Sequence, residues 1–591
     1  MFEKVLVANR GEIAIRVMRT LREMGIISVG VYSEADRAAP HVGEADEAHL
    51  LGPPVPAESY LSVDRLLETA DNAGAEAVHP GYGFLAENAQ FAAACEDAGV
   101  TFIGPPASAI EAMGSKTRAR ELMAEAGVPI VPGTTSPVES VAEAKRQAKE
   151  IGYPVACKAA GGGGGKGFRV AASEKDLEDA FEGASREGEK FFSDPSVYLE
   201  RYLDDPRHVE VQVLADAHGN VVHLGERDCS IQRRHQKLIE ESPAPHVDEG
   251  MRERIGKIAT DAAKAVEYRS AGTVEGLQTG DEYFFLEMNT RVQVEHCVSE
   301  LVTGIDIVRE QILIAAGEEL SVSQADVELR GHAIECRINA EAAHKNFAPA
   351  PGAITSYREP GGPGVRVDSG VAAGSEVTPL YDPLIAKLIA WDTDRERATA
   401  RMLRALGEYE IGGLVTLVPF HEAILVTDQW RNAETCRDLI GDRKWLKSLE
   451  PSPEPSADAG PDQAAEPEGM ERTYQVEVDG RLHSVRVIGA AGASADPGAG
   501  TGLRRPPRRE RAAGDGPRPS ATEMLVSPIQ GTVLKVAVSE GDEVEDGALI
   551  CVIEAMKMEN EITAHRPGKI SQLAVSKGAS VAAGDAIAKI E

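Results

Sequence analysis

Short apolar runs alternate with longer Ala- and Glu-rich stretches over residues 1–449. Examples of the runs are residues 4–8, 27–32, 77–79 and 101–103. Runs of this length predict strands, and the stretches between them predict helices. Strands that alternate with helices are typical of a doubly wound α/β arrangement, so we expect that fold class for this part of the chain.

Residues 522–591 follow a different pattern, because short apolar runs recur there at a constant offset of 37 residues. The repeated positions are Gly531, Val538, Gly541, Val544, Gly547, Ile550, Ile553 and Glu554, which reappear as Gly568, Val575, Gly578, Val581, Gly584, Ile587, Ile590 and Glu591. Gly-Asp and Asp-Gly pairs between the runs are typical of tight turns between strands. We therefore predict two similar sets of strands in a small, flattened, all-β barrel.

Lys557 falls in the turn that joins the two halves of this repeat, between Met556 and Met558. A lysine at the tip of a turn is exposed and open to a modifying enzyme, although most such lysines are only solvated. The segment resembles the biotin carboxyl carrier domain, whose Ala-Met-Lys-Met motif is matched from Ala555 to Met558. The resemblance implies that Lys557 carries biotin. Related lipoyl domains share the barrel and the lysine but usually lack the methionine pair.

The composition between these two regions is that of a linker. Residues 450–469 are rich in Pro, Ser, Ala, Asp and Glu, and residues 489–521 are rich in Gly, Ala, Pro and Arg. The second stretch would give a tether with an r.m.s. reach of roughly 30 Å. Between them, residues 472–488 predict a hairpin around Asp479-Gly480, which is either a docking element or a structured spacer. The basic residues 504–511 fit a solvated linker better than a binding site for an acidic surface.

The net charge and the cysteines exclude some classes of partner and of bound metal. A net charge of −33 over 591 residues argues against nucleic acid or an anionic membrane as the main partner. The seven cysteines are odd in number and form no C-x-x-C pair, so neither a disulfide framework nor a zinc site is indicated. The first residues lead straight into a strand without a signal-peptide core, and we expect a cytoplasmic protein.

A glycine-rich segment at residues 158–167 is the first sign of chemistry. Five consecutive glycines between Lys158 and Lys166 let backbone N–H groups approach phosphate oxygens, and the lysines supply positive charge. The segment is not a Walker A loop, because Gly167 follows Lys166 where that motif needs Ser or Thr. Alone, such a run is often a linker. Its position between two strand-like runs favours a mobile lid over nucleotide phosphates.

Residues 287–296 carry a second group of polar side chains. If this segment is extended, period 2 places five of them on one face, namely Glu287, Asn289, Arg291, Gln293 and Glu295. The oxygens of Glu287, Asn289 and the more distant Glu275 suit Mg²⁺. Arg291 can bind a planar anion such as bicarbonate, which leaves Glu295 as a base. A solvated strand face with salt bridges is the alternative, and the phosphate loop upstream disfavours it.

Residues 226–237 form a third polar cluster, which alone could be a surface charge run. In the observed order, the three clusters resemble the biotin carboxylase family, which has an ATP-grasp fold, over nearly all of residues 1–449. The supporting motifs lie at residues 8–14, 79–85, 114–116, 206–210 and 335–340.

The resemblance implies an α/β carboxylase followed by an all-β biotinyl/lipoyl-like barrel. Its predicted parts are a pre-ATP-grasp Rossmann-like domain at residues 1–114, an ATP-grasp domain at 115–330 with a mobile lid at about 131–204, a C-terminal α+β domain at 331–449, a linker at 450–521 and a biotin carboxyl carrier domain at 522–591.

The resemblance also implies roles for individual residues. Those matched to ATP-binding positions are Lys116, Lys158, Gly163, Gly164, Gly165, Glu200, His208, Gln232, His235 and Leu277. The matched metal ligands are Glu275 and Glu287, with Asn289 nearby. The matched bicarbonate pocket consists of Lys237, Arg291, Gln293, Val294 and Glu295, and Arg337 matches the arginine that stabilises the reacting anions.

The implied enzyme is an ATP-dependent carbon–nitrogen ligase with biotin, ATP and Mg²⁺ or Mn²⁺ as cofactors. Glu295 would deprotonate bicarbonate, which attacks the γ-phosphate of ATP to give carboxyphosphate. Carboxyphosphate would break down to CO₂ and phosphate, and the phosphate would take the proton from N1 of biotin. Arg337 would hold the biotin enolate while CO₂ is captured. A closed lid matters because water would destroy carboxyphosphate.

The resemblance implies partners as well. We expect a separate carboxyltransferase β subunit, as in the α chains of acetyl- or propionyl-CoA carboxylases of the actinobacterial type, because no further large domain is left for carboxyl transfer. We also expect modification by a biotin protein ligase and self-association through the carboxylase region. Two other classes stay open, a non-catalytic biotin carrier and a different ATP-grasp ligase with a lipoyl arm on Lys557.

Overall fold

The chain forms two compact units, Met1–Glu450 with Thr522–Glu591, and Pro451–Ala521. The computed structural model describes residues 1–134, 136–159, 167–192, 194–234, 236–449, 470–478, 481–489, 524–527, 531–555, 558–581 and 584–591. No helix within these ranges has both the length and the apolar surface that crossing a membrane requires. All seven cysteines are free and buried.

A five-stranded parallel sheet with the strand order β3-β2-β1-β4-β5 forms the N-terminal region. Its strands are β1 Lys4–Val7, β2 Ile27–Ser33, β3 Glu47–Gly52, β4 Ala77–His79 and β5 Thr101–Phe102. The helices are α1 Gly11–Glu23, α2 Pro40–Glu44, α3 Val63–Ala73, α4 Ala89–Asp97, α5 Ala107–Gly114 and α6 Lys116–Glu125. Val5, Leu6 and Val7 are fully buried, as in parallel strands covered on both faces.

A small antiparallel sheet follows, with the strand order β7-β6-β8. It consists of β6 Val155–Ala159, β7 Phe168–Ala171 and β8 Val197–Arg201, with helices α7 Val141–Ile151 and α8 Leu177–Phe192. Val155, Cys157 and Leu199 pack with the helices in one apolar core. The glycine run predicted as a lid, including Gly163, Gly164 and Gly165, lies outside the described residues.

Long antiparallel strands form the centre of the molecule. They are β9 Arg207–Ala215, β10 Val221–Arg233, β11 Gln236–Ser242, β12 Ser270–Thr279, β13 Glu282–Asn289 and β14 His332–Asn339. The helices of this part are α9 Glu249–Ala265, α10 His296–Thr303 and α11 Ile307–Ala315. The side chains of Asp248 and Asp306 accept hydrogen bonds from the first turns of α9 and α11, which fixes where these helices begin.

Residues 341–447 complete this sheet and cover it. The strands are β15 Glu341–Ala342, β16 Ala348–Pro349, β17 Gly352–Ala353, β18 Ser356–Arg358, β19 Val365–Ser369, β20 Glu376–Val377, β21 Leu384–Asp392 and β22 Glu410–Gly412. The helices are α12 Arg395–Glu408, α13 Val418–Leu425, α14 Asp428–Arg431, α15 Arg437–Gly441 and α16 Arg443–Lys447. The large sheet has the order β13-β12-β9-β10-β11-β14-β21-β19, so one sheet carries residues from both sides of position 330.

The second compact unit contains two paired strands. They are β23 Met470–Val478 and β24 Arg481–Gly489, which run antiparallel in a continuous register. The strands lie where the alternating runs at residues 472–488 predict a hairpin.

Two four-stranded sheets form the C-terminal barrel, with the orders β25-β32-β30-β27 and β29-β28-β26-β31. The strands are β25 Met524–Val526, β26 Gly531–Val536, β27 Glu543–Val544, β28 Leu549–Ala555, β29 Met558–Thr563, β30 Gly568–Leu573, β31 Ser580–Val581 and β32 Ala586–Ile590. Strands β26, β27 and β28 begin 37 residues before β30, β31 and β32, so the repeat predicted from the sequence appears as two sets of strands.

The barrel core contains Val533, Ile550, Ile553, Ile587 and Ile590, all fully buried. Ala555, at the end of β28, pairs directly with Met558, at the start of β29. Lys557 itself lies outside the described residues.

Candidate active site

Lys237 on β11 is the centre of a buried group of carboxylates. Its Nζ atom donates hydrogen bonds to Glu210 Oε2 at 2.5 Å, Glu275 Oε1 at 2.9 Å and Glu295 Oε1 at 2.6 Å. Burial alone would lower the pKa of Lys237, but the three carboxylates hold this pKa well above its ordinary value. The site therefore keeps a permanent ammonium group at its centre.

Glu295 stands immediately before helix α10 and is almost fully buried. Its Oε1 atom accepts from Lys237, and its Oε2 atom accepts from Nη2 of Arg337 at 2.8 Å. Burial raises the pKa of Glu295, but the positive charges of Lys237, Arg337 and Arg227 outweigh it and lower the pKa below its ordinary value. Glu295 is thus ionised near neutral pH and can accept a proton.

Arg337 on β14 connects Glu295 to a second pair of carboxyl groups. Its Nε atom donates to Glu240 Oε1 at 2.6 Å, and Glu240 on β11 lies directly opposite Glu335 on β14. Burial and the charge of Glu295 raise the pKa of Glu240 to about 7, against the opposing charge of Arg337. Burial also raises the pKa of Glu335. Because both pKa values are raised, the carboxyl pair Glu240 and Glu335 beside Arg337 retains a proton near neutral pH.

Arg227, which is fully buried, fixes the geometry beneath this cluster. Its guanidinium donates to Glu210 at 2.6 Å and to the Oε1 atom of Gln293 at 2.5 Å. Gln293 in turn donates from Nε2 to Glu275 Oε1 at 2.6 Å. Further acceptors of the same guanidinium are Gln212, Thr273 and Ser299. One arginine thereby holds residues from strands β9 and β12, from the segment before α10 and from α10 itself in a fixed arrangement.

The predicted extended face from Glu287 to Glu295 is wrong beyond Asn289, where β13 ends. The backbone N–H of Thr290 donates to Glu87 Oε1 at 3.2 Å rather than to a strand partner. Arg291 donates from Nε to Glu87 Oε2 and from Nη2 to Asn289 Oδ1, both at 2.9 Å. Through these contacts with Glu87, the chain leaves the sheet after Asn289. Glu295 then lies at the start of helix α10, beside Lys237.

The predicted metal ligands lie together on strands β12 and β13. Glu275 pairs directly with Glu287, and Thr273 pairs with Asn289 in the same ladder. Residues that face each other across a ladder project their side chains from the same side of the sheet. Two carboxylates with a neighbouring amide oxygen form the hard donor set that Mg²⁺ prefers, so these residues fit a magnesium ion.

The predicted ATP residues lie on two of the sheets. Glu200 on β8 binds Lys158 on β6 and accepts from Arg120 Nη1 at 2.6 Å. On the large sheet, Leu277 pairs with His208, and Gln232 pairs with Lys237. His235 and the side chain of Lys116 lie outside the part of the chain that is described.

Lys387, on β21, contributes to the site without any signal in the sequence. Its Nζ atom donates to the carbonyl of Val294 at 2.9 Å and to Cys297 Sγ at 3.2 Å, and it lies 3.3 Å from Glu12 Oε2. It therefore contacts the backbone just before Glu295 and the Cys297 side chain just after it. Glu210 and Arg227 were also assigned no role, although both lie within the recognised motifs.

His208 provides a pH-dependent test of this electrostatic arrangement. Its Nε2 atom lies 3.0 Å from Glu275 Oε2; burial lowers the pKa of His208, but Glu275 and Glu210 raise it to about 9. The folded state then binds more protons than the unfolded state between about pH 6.5 and 9. Stability from His208 is present in full below pH 6.5 and disappears as the pH rises through 9.

Replacing His208 with Asn should therefore destabilise the fold by up to roughly 3 kcal/mol at pH 6 and much less above pH 9.5. Urea unfolding of both proteins across this range measures the difference. His218→Asn, at an exposed position, is the matched control. A His208→Asn penalty that stays constant from pH 6 to pH 9.5 would contradict the proposed charge on His208.

Four protein-family models match the chain. Residues 1–110 match the biotin carboxylase N-terminal domain, and residues 115–323 match the ATP-binding domain of the carbamoyl-phosphate synthase L chain. Residues 335–442 match the biotin carboxylase C-terminal domain, and residues 521–590 match the biotin-requiring enzyme domain.

Known proteins match over the full chain or over the carboxylase region. The biotin-dependent acyl-coenzyme A carboxylase alpha3 subunit of Mycobacterium leprae is 46% identical and covers 100% of this chain and 98% of its own. The propionyl-CoA carboxylase alpha chain of Ruegeria pomeroyi is 38% identical with 100% of both chains covered. One similar solved structure is the biotin carboxylase domain of the Hydrogenobacter thermophilus 2-oxoglutarate carboxylase, a dimer in complex with MgADP, ADP and bicarbonate. It is 49% identical to this chain and superposes with a TM-score of 0.69. The match covers 75% of this chain and 99% of that one.

The chain belongs to the biotin carboxylase family of biotin-dependent carboxylases. It is a ligase that carboxylates biotin, with its ATP-binding domain and its biotin carrier domain in one polypeptide. The family, the mixed α/β fold class and the cofactors biotin and ATP are thereby confirmed as predicted from the sequence.

Proposed function

We propose that this chain is the α subunit of an acyl-CoA carboxylase. It uses ATP and bicarbonate to carboxylate biotin on Lys557, and it supplies the carboxyl group to a separate carboxyltransferase β subunit. The observation that carries the proposal is the buried contact of Glu295 with both Lys237 and Arg337, in a chain that also contains a carrier barrel. The full-length relatives named as carboxylase α chains support the acyl-CoA assignment.

In this proposal, Glu295 is the base that accepts the bicarbonate proton. Lys237 and Arg291 hold the anion as cations. Against the effect of burial, Glu210, Glu275 and Glu295 raise the pKa of Lys237, and chiefly Glu87 raises the pKa of Arg291. Gln293 and the backbone of Val294 complete the pocket. Bicarbonate then has a proton acceptor and positive charge together in a site that excludes water, which favours attack on the γ-phosphate.

ATP is assigned to the neighbouring residues of the two sheets. Lys158 supplies positive charge toward the phosphates from β6, and Glu200 keeps this ammonium oriented. His208 and Leu277, paired on β9 and β12, and Gln232 on β10 border the nucleotide. Lys116, His235 and the glycines 163–165 keep the ATP-binding roles that their motifs predict.

The family implies two further groups, Mg²⁺ and biotin, and the proposal assigns residues to each. Mg²⁺, held by Glu275 and Glu287 with Asn289 nearby, would neutralise charge on the phosphates of ATP. Biotin, attached to Lys557 by a biotin protein ligase, would supply the nitrogen that accepts the carboxyl group. The relative that was solved with MgADP and bicarbonate is consistent with this ligand set.

Arg337 is assigned to stabilise negative charge on the reacting molecules. Its guanidinium lies between Glu295 and Glu240, and the raised pKa of Glu240 leaves part of that carboxyl protonated near neutral pH. Protonated Glu240 attracts Arg337 less strongly. The guanidinium is then available to an incoming anion near neutral pH.

The assignment of a partner is tested by isolating the chain from its native host. We expect a carboxyltransferase subunit to co-purify, and we expect the complex to transfer labelled carboxyl groups from bicarbonate to acetyl- or propionyl-CoA in a panel of acyl-CoA substrates. The same panel without ATP is the control. A chain that cleaves ATP with bicarbonate and free biotin, yet yields no carboxylated acyl-CoA with its co-purified proteins, would contradict the acyl-CoA assignment.

A further inference from the structure

Glu561 on β29 connects the carrier barrel to the carboxylase region. Its Oε1 atom lies 2.8 Å from Arg234 Nη2, and its Oε2 atom accepts from Asn346 Nδ2 at 3.3 Å. Arg443 Nη2 lies 3.7 Å from the same Oε2 atom. One carboxylate therefore contacts two guanidinium groups and one amide from three separate segments.

Glu561 points away from the barrel core. The next residue, Ile562, is buried in that core, and alternate residues of a strand face opposite sides. Glu561 lies four residues beyond Lys557, which corresponds to roughly 13 Å of extended chain. A contact at Glu561 thus fixes the part of the barrel next to the lysine assigned to biotin.

Aromatic rings hold the carboxylase side of this contact in place. Arg233 lies over the ring of Phe347 at 4.8 Å, Phe347 packs on Phe420 at 5.2 Å, and Phe420 packs on Trp445 at 5.9 Å. Arg233 ends β10, Phe347 precedes β16, and Trp445 lies on α16, so these contacts connect the three segments through Phe420 on α13. Arg234, Asn346 and Arg443, which we call the basic patch, come from these same three segments.

Positive charges lie close together in and around the basic patch. Burial, together with the neighbouring charges of Arg234 and Arg443, lowers the pKa of Arg233 to about 10, while the charges of Glu341 and Glu561 oppose this shift. Clustered like charges repel each other, so an external carboxylate that enters the patch is attracted by all of them.

We propose that the basic patch is the docking site by which the carboxylase recognises its own carrier barrel, with Glu561 as the anchor. The patch adjoins the pocket, since Arg234 is in the turn between Gln232 and Lys237, which pair across β10 and β11. Lys447 and Asp546, 4.0 Å apart, add a second contact at the edge. Docking through Glu561 places the barrel beside the strands that bear Lys237. The inference rests on the proposed function of Lys557.

Charge reversal at the anchor tests the docking site in the full-length, biotinylated chain. Two rates are measured: single-turnover transfer of labelled bicarbonate to tethered biotin, and ATP cleavage stimulated by free biotin. For Glu561→Arg, we expect the ratio of the first rate to the second to fall about tenfold, because like charges now face each other. Glu543→Arg reverses an exposed charge on β27 of the same barrel and should keep the ratio of the unaltered chain.

The double variant Glu561→Arg with Arg234→Glu should restore the ratio to within about threefold, since the pair is re-formed with opposite polarity. Rising salt should lower the ratio for the unaltered chain by screening the attraction, and it should raise the ratio for Glu561→Arg by screening the repulsion. All rates are normalised to the biotin content found by intact mass. A ratio unchanged by Glu561→Arg would overturn the docking site. Absence of ATP cleavage with free biotin in the unaltered chain would instead overturn the proposed function.

Discussion

Replacing Arg337 with Ala is expected to lower carboxylation of biotin by about 10²- to 10³-fold, the range for losing one preorganised donor to a developing anion. The guanidinium contacts Glu295 and Glu240 and faces the pocket from β14. ATP affinity should change little, because the side-chain partners recorded for Arg337, Glu240 and Glu295, are not among the residues assigned to ATP. Steady-state carboxylation of free biotin and calorimetric titration with ATP measure the two effects separately.

Loss of Arg337 also removes the guanidinium that binds the buried Glu240, so stability needs its own control. Arg395→Ala removes a comparable arginine, which pairs with Glu241 at 2.6 Å and stacks on Trp430. This control should lose stability by a few kcal/mol yet retain activity. Normal turnover of biotin by Arg337→Ala would remove the role assigned to Arg337.

Replacing Glu295 with Gln is expected to lower bicarbonate-dependent ATP cleavage by about 10²- to 10⁴-fold, the contribution of a positioned general base. Glutamine keeps the size of the side chain and its contact with Lys237, but it cannot accept the proton. The low pKa of Glu295 means that the unaltered enzyme has the ionised base throughout the neutral range. Initial rates of ADP release with saturating ATP provide the measurement.

Glu241→Gln is the matched control for this substitution. Glu241 is also buried on β11 and paired with an arginine and a histidine, but it contacts His332 and Arg395 rather than the Lys237 cluster. Its variant should keep most of the activity. If Glu295→Gln cleaved ATP with bicarbonate as fast as this control, another residue would have to be the base.

The strands and the barrel can be predicted from the sequence because the spacing of apolar residues along a segment reflects which of its faces is buried. The parallel strands at residues 4–7 and 27–33 and the 37-residue repeat of the barrel follow from apolar positions alone. The domain boundaries stay a prediction. The large sheet crosses position 330 without interruption, and a change of composition cannot reveal that.

The site is only partly predictable for a different reason. Glu275, Glu287 and Lys237 were assigned from motifs, but the path of residues 290–295 depends on Glu87, about 200 residues earlier in the chain. Lys387 and Glu240 act through contacts that no local pattern encodes. Long-range ion pairs of this kind become visible only when the strands that carry them are placed side by side.

The central claim is that this chain loads its own tethered biotin. The most direct measurement incubates purified, biotinylated protein with ATP, Mg²⁺ and labelled bicarbonate, and then locates the label by peptide mass spectrometry. We expect ATP-dependent label on the peptide that contains Lys557 and none on the Lys557→Arg protein. Biotin on Lys557 that stays unlabelled while bicarbonate and ATP are present would contradict the account.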